Sequence, residues 1–282
     1  MFPSPPSAII KADNYYYIAV PPVTLKAGWT IQFTASDGKV YSRKGTNDIT
    51  FTRNKVTDLG EFATTGDYWY DAARGDIVRA DQEVDMGVFE INGKNYRLIF
   101  AKSNLTKDGL AANEYDYGDY FAWGATEPWY HSATNTWKEG KEAGYTEANA
   151  PTLSKPYKAN DVLSSSDDAA RQILKGDWQI PTQAIWRALV GITTKGWDEV
   201  RKGYTFTNNG QTLFLPAAGY VDLTSFKYVG SYVRYWSGTA ESKINESSIN
   251  AYRLSFNGST LNVGNSARSN GYPVRPVRLV EE

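Results

Sequence analysis

The chain contains no cysteine and one histidine, His131. Without cysteine there is no disulfide, no thiolate nucleophile and no cysteine metal site, although the compartment stays open. The lone histidine sits in Tyr130-His131-Ser132, a loop-like context with no partner suggested by spacing. It reads as a surface residue rather than the base of a hydrolase triad. Charge of one sign is also missing: 30 basic residues face 31 acidic ones, for a net charge of -1. With no basic run, nothing directs the chain to nucleic acid or to an anionic membrane. No apolar run is long enough to span a bilayer. Neither a phosphate-binding loop, a dinucleotide glycine fingerprint nor an EF-hand run is present. Met1 to Ser7 lacks the charged and apolar regions of a secretory signal, so the expectation is a chain whose signal and leading segment are absent.

What the chain has in quantity is tyrosine and tryptophan, 20 and 9 residues against 2 methionines. Both pair an apolar body with a polar handle and suit half-buried and binding surfaces as well as strands. Apolar residues at 41% suffice for a real core. A chain of 282 residues suggests one large or two ordinary domains.

The front of the chain reads as short strands. Tyr15 to Val20 is a β-prone run stopped by Pro21-Pro22. Trp29 to Thr34 alternates apolar and polar residues, Ser36-Asp37-Gly38-Lys39 signals a hairpin turn before Val40-Tyr41-Ser42, and Asp48 to Thr52 alternates again. Four such strands make a sheet but hardly a two-layered domain. Residues 1–62 are therefore expected to form a small, incomplete β region, with 63–85 as a linker and 86–282 as a second domain.

From Met86 the pattern changes. Val88 to Ile91, a turn at Asn92-Gly93 and Tyr96 to Phe100 read as a hairpin. Ser166 is placed to cap a helix over Asp167 to Lys175, stopped by Gly176, and Thr182 to cap one over Gln183 to Val190, with Ile185, Trp186, Leu189 and Val190 as its apolar stripe before Gly191. Short strands follow, including Thr212 to Leu215, Ala251 to Phe256 and Val274 to Leu279. Two helices with many short strands predict an α+β plan.

Five elements in order then carry a resemblance. They are Gly176-Asp177-Trp178-Gln179-Ile180-Pro181-Thr182 with Trp186-Arg187-Ala188-Leu189, Leu215-Pro216-Ala217-Ala218-Gly219-Tyr220, Tyr235-Trp236-Ser237-Gly238-Thr239, Ala251-Tyr252-Arg253-Leu254, and Gly271-Tyr272-Pro273-Val274-Arg275-Pro276-Val277-Arg278. Together they resemble a bacterial C-type-lectin-like family of Fibrobacter and Bacteroidetes surface proteins, akin to the formylglycine-generating-enzyme fold, over roughly residues 86–282. The same terminal design looks like the variable proteins of diversity-generating retroelements, in which adenine-rich codons near the end of the gene are rewritten on a fixed scaffold; it also fits ordinary loops in the non-variable relatives. Residues 1–62 resemble, more weakly, the end of a fimbrillin-like pilus domain, through Tyr17-Ile18-Ala19-Val20-Pro21, the Trp29 strand and Phe51 to Val56. The resemblance implies a cell-surface or pilus-tip adhesin of Bacteroidetes type, trimmed at its front.

It also limits the chemistry. The formylglycine generator needs active-site cysteines that hold copper, and this chain has none. Calcium-dependent animal lectins use Glu-Pro-Asn or Gln-Pro-Asp with Trp-Asn-Asp; the nearest match here, Glu127-Pro128-Trp129, lacks an oxygen ligand. Paired carboxylates beside aromatics, as in Glu114 to Trp123, are what glycoside hydrolysis uses. Yet acidic residues adjacent in sequence face different ways, and the family uses this region for its core. The expectation is a binding protein, not an enzyme, with no catalytic residue, cofactor or metal.

The last fifth of the chain sets its binding face. Between Glu241 and Asn270 lie six Asn and seven Ser, enclosed by aromatic and arginine-rich ends. Such composition suits an adaptable contact surface on a fixed frame. Trp178, Trp186, Leu189, Phe214, Leu215, Trp236, Tyr252, Leu254, Phe256, Val274 and Val277 read as frame, and so do Arg275 and Arg278. Ligand-contact candidates are Val233 and Arg234, then Ser242, Lys243, Asn245, Glu246 and Ser248, then Asn257, Ser259, Asn262, Asn265, Ser266, Arg268, Ser269 and Asn270. The partner is an unknown protein or glycan, with other pilus subunits as a further class and neither nucleic acid nor a direct membrane span expected. Two other readings stay open: a carbohydrate-binding or carbohydrate-active protein using the aromatics of 115–130, and a structural pilus subunit that exchanges strands.

Overall fold

The computed structural model describes residues 21–34, 40–44, 47–57, 68–71, 76–79, 82–131, 136–137, 157–192, 194–222, 225–241 and 249–282. The chain divides into two compact units, Met1–Asp81 and Gln82–Glu282.

The first unit is built from antiparallel pairs. β1 (Val23–Leu25) pairs with β4 (Ile49–Phe51), and β2 (Thr30–Thr34) with β3 (Val40–Lys44). The Tyr15 strand and the Ser36 turn fall outside the described residues. The stretch 63–85, expected to be a linker, holds a hairpin of β5 (Tyr68–Asp71) and β6 (Asp76–Arg79). Its β-prone residues, Tyr68-Trp69-Tyr70 and Ile77-Val78, come in runs too short to show a period.

The second unit opens with β7 (Glu83–Ile91) and β8 (Lys94–Ala101), joined by Asn92 and Gly93 with φ of 52° and 80°. Positive φ at both central residues gives the turn whose twist matches its flanking strands, which is why Asn-Gly occupies it. Two small hairpins follow, β9 (Leu105–Thr106) with β10 (Gly109–Leu110) and β11 (Tyr130–His131) with β12 (Thr136–Trp137). Next come helices α1 (Ala169–Leu174) and α2 (Gln183–Val190). β13 (Thr194–Asp198), β14 (Gly203–Asn208) and β15 (Gln211–Pro216) form one sheet, and β16 (Tyr220–Asp222) pairs with β17 (Ser225–Lys227). β18 (Val233–Ala240), β19 (Asn250–Phe256) and β20 (Leu261–Ala267) form a meander, and β21 (Val277–Glu281) returns to lie beside β8.

This architecture corrects the α+β expectation. The protein is essentially all-β: several small antiparallel sheets with, among the described residues, two helices of six and eight residues. Helices this short cannot form a layer of their own. α2 instead plugs the main core with Ile185, Trp186 and Leu189, beside Phe100, Phe206, Leu215, Tyr235, Leu254 and Val277. Its bounds and its Thr182 cap are those read from the sequence. α1 is shorter than expected, because Asp168 rather than Ser166 caps it. The buried Asp168 carboxylate accepts from the Ala170 and Arg171 amides and also from Ile180 N at 2.9 Å. Ser166 pairs with Ser164 instead.

Candidate ligand-binding face

The period of two along β18–β20 decides which side chains meet the core. Val233 and Tyr235 on β18, and Leu254 and Phe256 on β19, enter the main core, with Leu261 and Val263 of β20 packed against it. The other face carries Arg234 on β18, Arg253 and Ser255 on β19, and Asn262, Gly264 and Ser266 on β20. The register sets Arg234 opposite Ser255, Ser255 opposite Asn262, and Arg253 opposite Gly264. One end of this face is closed. Trp236 and Ala251 join a second core cluster with Trp123, Ala169, Ala170, Tyr272 and Val274. The Trp236 and Tyr272 rings lie 4.3 Å apart.

The aromatic motifs hold this frame with their polar handles. The indole of Trp186 donates to Trp236 O at 3.0 Å, that of Trp236 to Phe121 O at 2.7 Å and that of Trp123 to Ser237 O at 2.8 Å. Each indole thereby fills a core position and satisfies a buried carbonyl. Arg275 is fully buried and ties the last segment to the front of the unit. Its Nε donates to Asn104 Oδ1 at 2.9 Å and its guanidinium to the carbonyls of Lys102 and Ala101 at 2.7 and 3.3 Å. Asn104 in turn donates to Tyr235 Oη at 3.0 Å, and Tyr235 to Pro216 O at 3.2 Å. Burial pushes the Tyr235 hydroxyl up to about 12 and lowers the Arg275 guanidinium. Arg278 pairs with Glu83 and lies over the Trp178 ring.

At the open end, Arg234 and a set of tyrosines form a cluster. Its guanidinium carbon stands 4.4 Å from the centre of the Tyr220 ring and 5.4 Å from that of Tyr232. Tyr232 stacks on Tyr228 at 4.2 Å and 10°, and Tyr228 on Tyr220 at 6.1 Å and 26°. Tyr228 holds this position with φ at +56°, unusual for a bulky residue. Its carbonyl is fixed by the amides of Ser231 and Tyr232 and by the Ser231 hydroxyl. The Tyr272 hydroxyl is the hub. It accepts from Arg234 and Asn270, each at 3.3 Å, and shares a hydrogen with Ser266 at 2.6 Å.

The contact candidates named from sequence divide on this frame. Arg234, Ser266 and Asn270 come together around Tyr272, and Asn262 is exposed on the same face. Asn257 and Ser259 are exposed at the β19–β20 turn, where Asn257 Oδ1 accepts from Ser259 and from Thr260 N, making it a turn builder. Asn265 is exposed but lies on the opposite parity and pairs with Glu241. Ser242, Lys243, Asn245, Glu246 and Ser248 lie outside the described residues. Three candidates need correcting. Val233 is fully buried because the strand period turns it toward the core. Arg268 is 1% exposed, over the Trp123 ring at 4.3 Å with its Nε donating to Asn250 O, and burial lowers its pKa to about 10. Ser269 is buried beside it. Sequence reading missed Arg253 and the ring set Tyr220, Tyr228, Tyr232 and Tyr272. The signal was available for Arg253: it is one residue from Leu254 in a strand and so must face away from the core.

The aromatic stretch 115–130 offers little open surface. Tyr120, Phe121, Trp123, Trp129 and Tyr130 are buried, as is Asp119, while Tyr115 is exposed. Among the described residues, no group of three or more His, Asp or Glu side chains is arranged to hold a metal ion. No described helix is long and apolar enough to cross a membrane. Compared with known proteins, the chain matches no family model, no curated protein and no solved structure.

Proposed function

We propose that this chain is a cell-surface or pilus-tip binding protein, a relative of the bacterial C-type-lectin-like surface family, and that it contacts its ligand through the open face of β18–β20 without covalent chemistry. The observation that carries the reading is the division of labour in one meander. One face is core, whereas the other brings Arg234, Ser266 and Asn270 to the Tyr272 hydroxyl beside stacked tyrosines, with Asn262 exposed on the same face. Tyrosine supplies large contact area at small entropic cost, and Ser and Asn supply adaptable hydrogen bonds. Exposed residues there can vary while the indole and Arg275 bonds beneath hold the frame, as a retroelement-diversified protein would require. The buried ring faces of Trp123 and Trp129 argue against a sugar-stacking platform in 115–130.

The test is a combined Arg234→Ala, Ser259→Ala, Asn262→Ala, Asn270→Ala variant, compared with wild type on printed glycan and peptide arrays. Wild-type signals should disappear while the melting temperature stays within a few degrees. Retained signals would refute the face. A near-copy of the last coding stretch, differing at adenines beside a reverse transcriptase gene, is expected if the gene is diversified.

A further inference from the structure

Two guanidinium groups share the open face, and among the described residues neither has an anion. Arg234 and Arg253 are half-buried diagonal neighbours on adjacent strands. Both Nε atoms and one terminal nitrogen of Arg253 are buried without a hydrogen-bond partner. Among the described residues, no carboxylate pairs with either side chain. The Tyr272 hydroxyl, which accepts from Arg234, is also engaged by Ser266 and Asn270. Burial, with the Arg234 charge adding to it, lowers the pKa of Arg253. Two like charges held together and partly stripped of water are costly unless a negative group joins them. Three other arginines have carboxylates, Arg278 with Glu83, Arg97 with Asp85 and Glu282, and Arg201 with Asp198, whereas the fully buried Arg275 is held by Asn104 and two carbonyls.

The surroundings narrow the class of anion. Tyr228 and Val229 are exposed, 51% and 44%, on the turn that leads into β18. Tyr228 stacks on Tyr220 and Tyr232, the two rings beside Arg234, so its turn gives the charged pair an apolar shoulder. Part of the ring surface that a sugar would stack on is occupied: Tyr232 covers one face of Tyr228, and the Arg234 guanidinium lies over Tyr220. What remains is a guanidinium fork beside aliphatic and aromatic edges. Tyrosine and arginine around a partly desolvated charge are the composition of protein-recognition hot spots. We propose that the face binds an acidic segment of a partner protein, with an Asp or Glu carboxylate accepting from Arg234 and Arg253 and a neighbouring apolar side chain resting on Tyr228 and Val229. This rests on the binding-face reading above and gives its ligand a chemical class.

The experiment uses the full chain and an array of synthetic 12-residue peptides in which Asp or Glu neighbours Leu, Phe or Val. Matched peptides carry Asn or Gln instead, and a parallel array carries sialylated and uronic-acid glycans. The best peptides are then titrated in solution by fluorescence anisotropy. The acidic peptides should bind, their amide counterparts at least about tenfold more weakly, and Arg234→Ala should cost a similar factor with an unchanged melt. Arg253→Lys, which keeps the charge but loses the fork, should weaken binding by several-fold. Equal binding of acidic and amide peptides overturns the inference, as does binding of acidic glycans alone, a self-associating wild type that Arg234→Ala makes monomeric, or no peptide bound. If neutral ligands bind and only the four-residue variant loses them, the acidic ligand falls and the binding face stands. If ligands bind and neither variant loses them, both fall.

Discussion

Replacing Arg275 by Met tests whether the most recognisable motif of the chain is frame or contact surface. Methionine keeps much of the length and volume of the side chain and removes every donor. Three acceptors, Asn104 Oδ1 and the carbonyls of Lys102 and Ala101, then lose a charged partner in a fully buried site. A buried polar group left unpaired costs about 1–3 kcal/mol. Against this stands the relief of no longer burying a cation, a desolvation that already lowers the pKa of Arg275. Three unpaired neutral acceptors, less that relief, leave a net cost of about 3 kcal/mol. In a unit of roughly 200 residues, each kcal/mol shifts the melting temperature by about 2–4 °C, so a fall of roughly 10 °C is expected. Tryptophan fluorescence during heating and in urea reads it out. A variant that melts within about 2 °C of wild type but no longer binds would refute the argument, because Arg275 would then serve the ligand and not the frame.

Other expectations follow from the same packing. The hydroxyl of Tyr235 ionises near 12 in the fold and near 10 in the unfolded chain, so both states are neutral below about pH 10 and its contribution is whole there. Between about pH 10 and 12 only the unfolded chain ionises, and about 3 kcal/mol of stability should drain away; Tyr235→Phe should flatten that loss in alkaline urea titrations, and an unchanged slope would contradict it. In Gly203→Ala the new methyl would sit 2.3 Å from Phe214 Cζ and 2.7 Å from Leu215 O, for a cost of about 1–3 kcal/mol or more. Gly196→Ala on the adjacent strand meets nothing within 4 Å and should be nearly silent, so similar melts for the two would discredit the packing. Asp168→Ala strips the cap from α1 and orphans Ile180 N, and should lower the urea midpoint by an amount equivalent to about 2 kcal/mol.

Features set by local rules were legible in the sequence. The Asn92-Gly93 hairpin and the Thr182-capped helix fall where backbone geometry and capping chemistry place them. Trp186, Trp236 and Val277 sit in the core as their positions implied. What local rules do not determine was harder. Two adequate helix caps stand near α1, and only the fold brings Ile180 N to Asp168 and decides between them. Polar composition marked the segment from Glu241 to Asn270 as surface, yet composition carries no facing. Arg268 is as polar as Arg234, and a tryptophan ring from residue 123 covers it. The same long-range closure made the tyrosine cluster invisible, since Tyr220, Tyr232 and Tyr272 meet only once β16, β18 and the last segment are in place.

The return of β21 to β8 has a mechanical consequence. β7 and β21 flank β8 and run parallel to each other, with Glu83 opposite Ala101 at one end of the sheet and Glu281 opposite Tyr96 at the other. Tension applied at the two ends of this unit would pull β7 and β21 along their lengths in opposite directions. The ladder bonds on both sides of β8 would then be loaded together, in shear, rather than opened one at a time like a zipper. A body that must hold while its ends are pulled gains from that arrangement, and the meander carrying Arg234 and Arg253 lies in the chain between the two strands that take the strain.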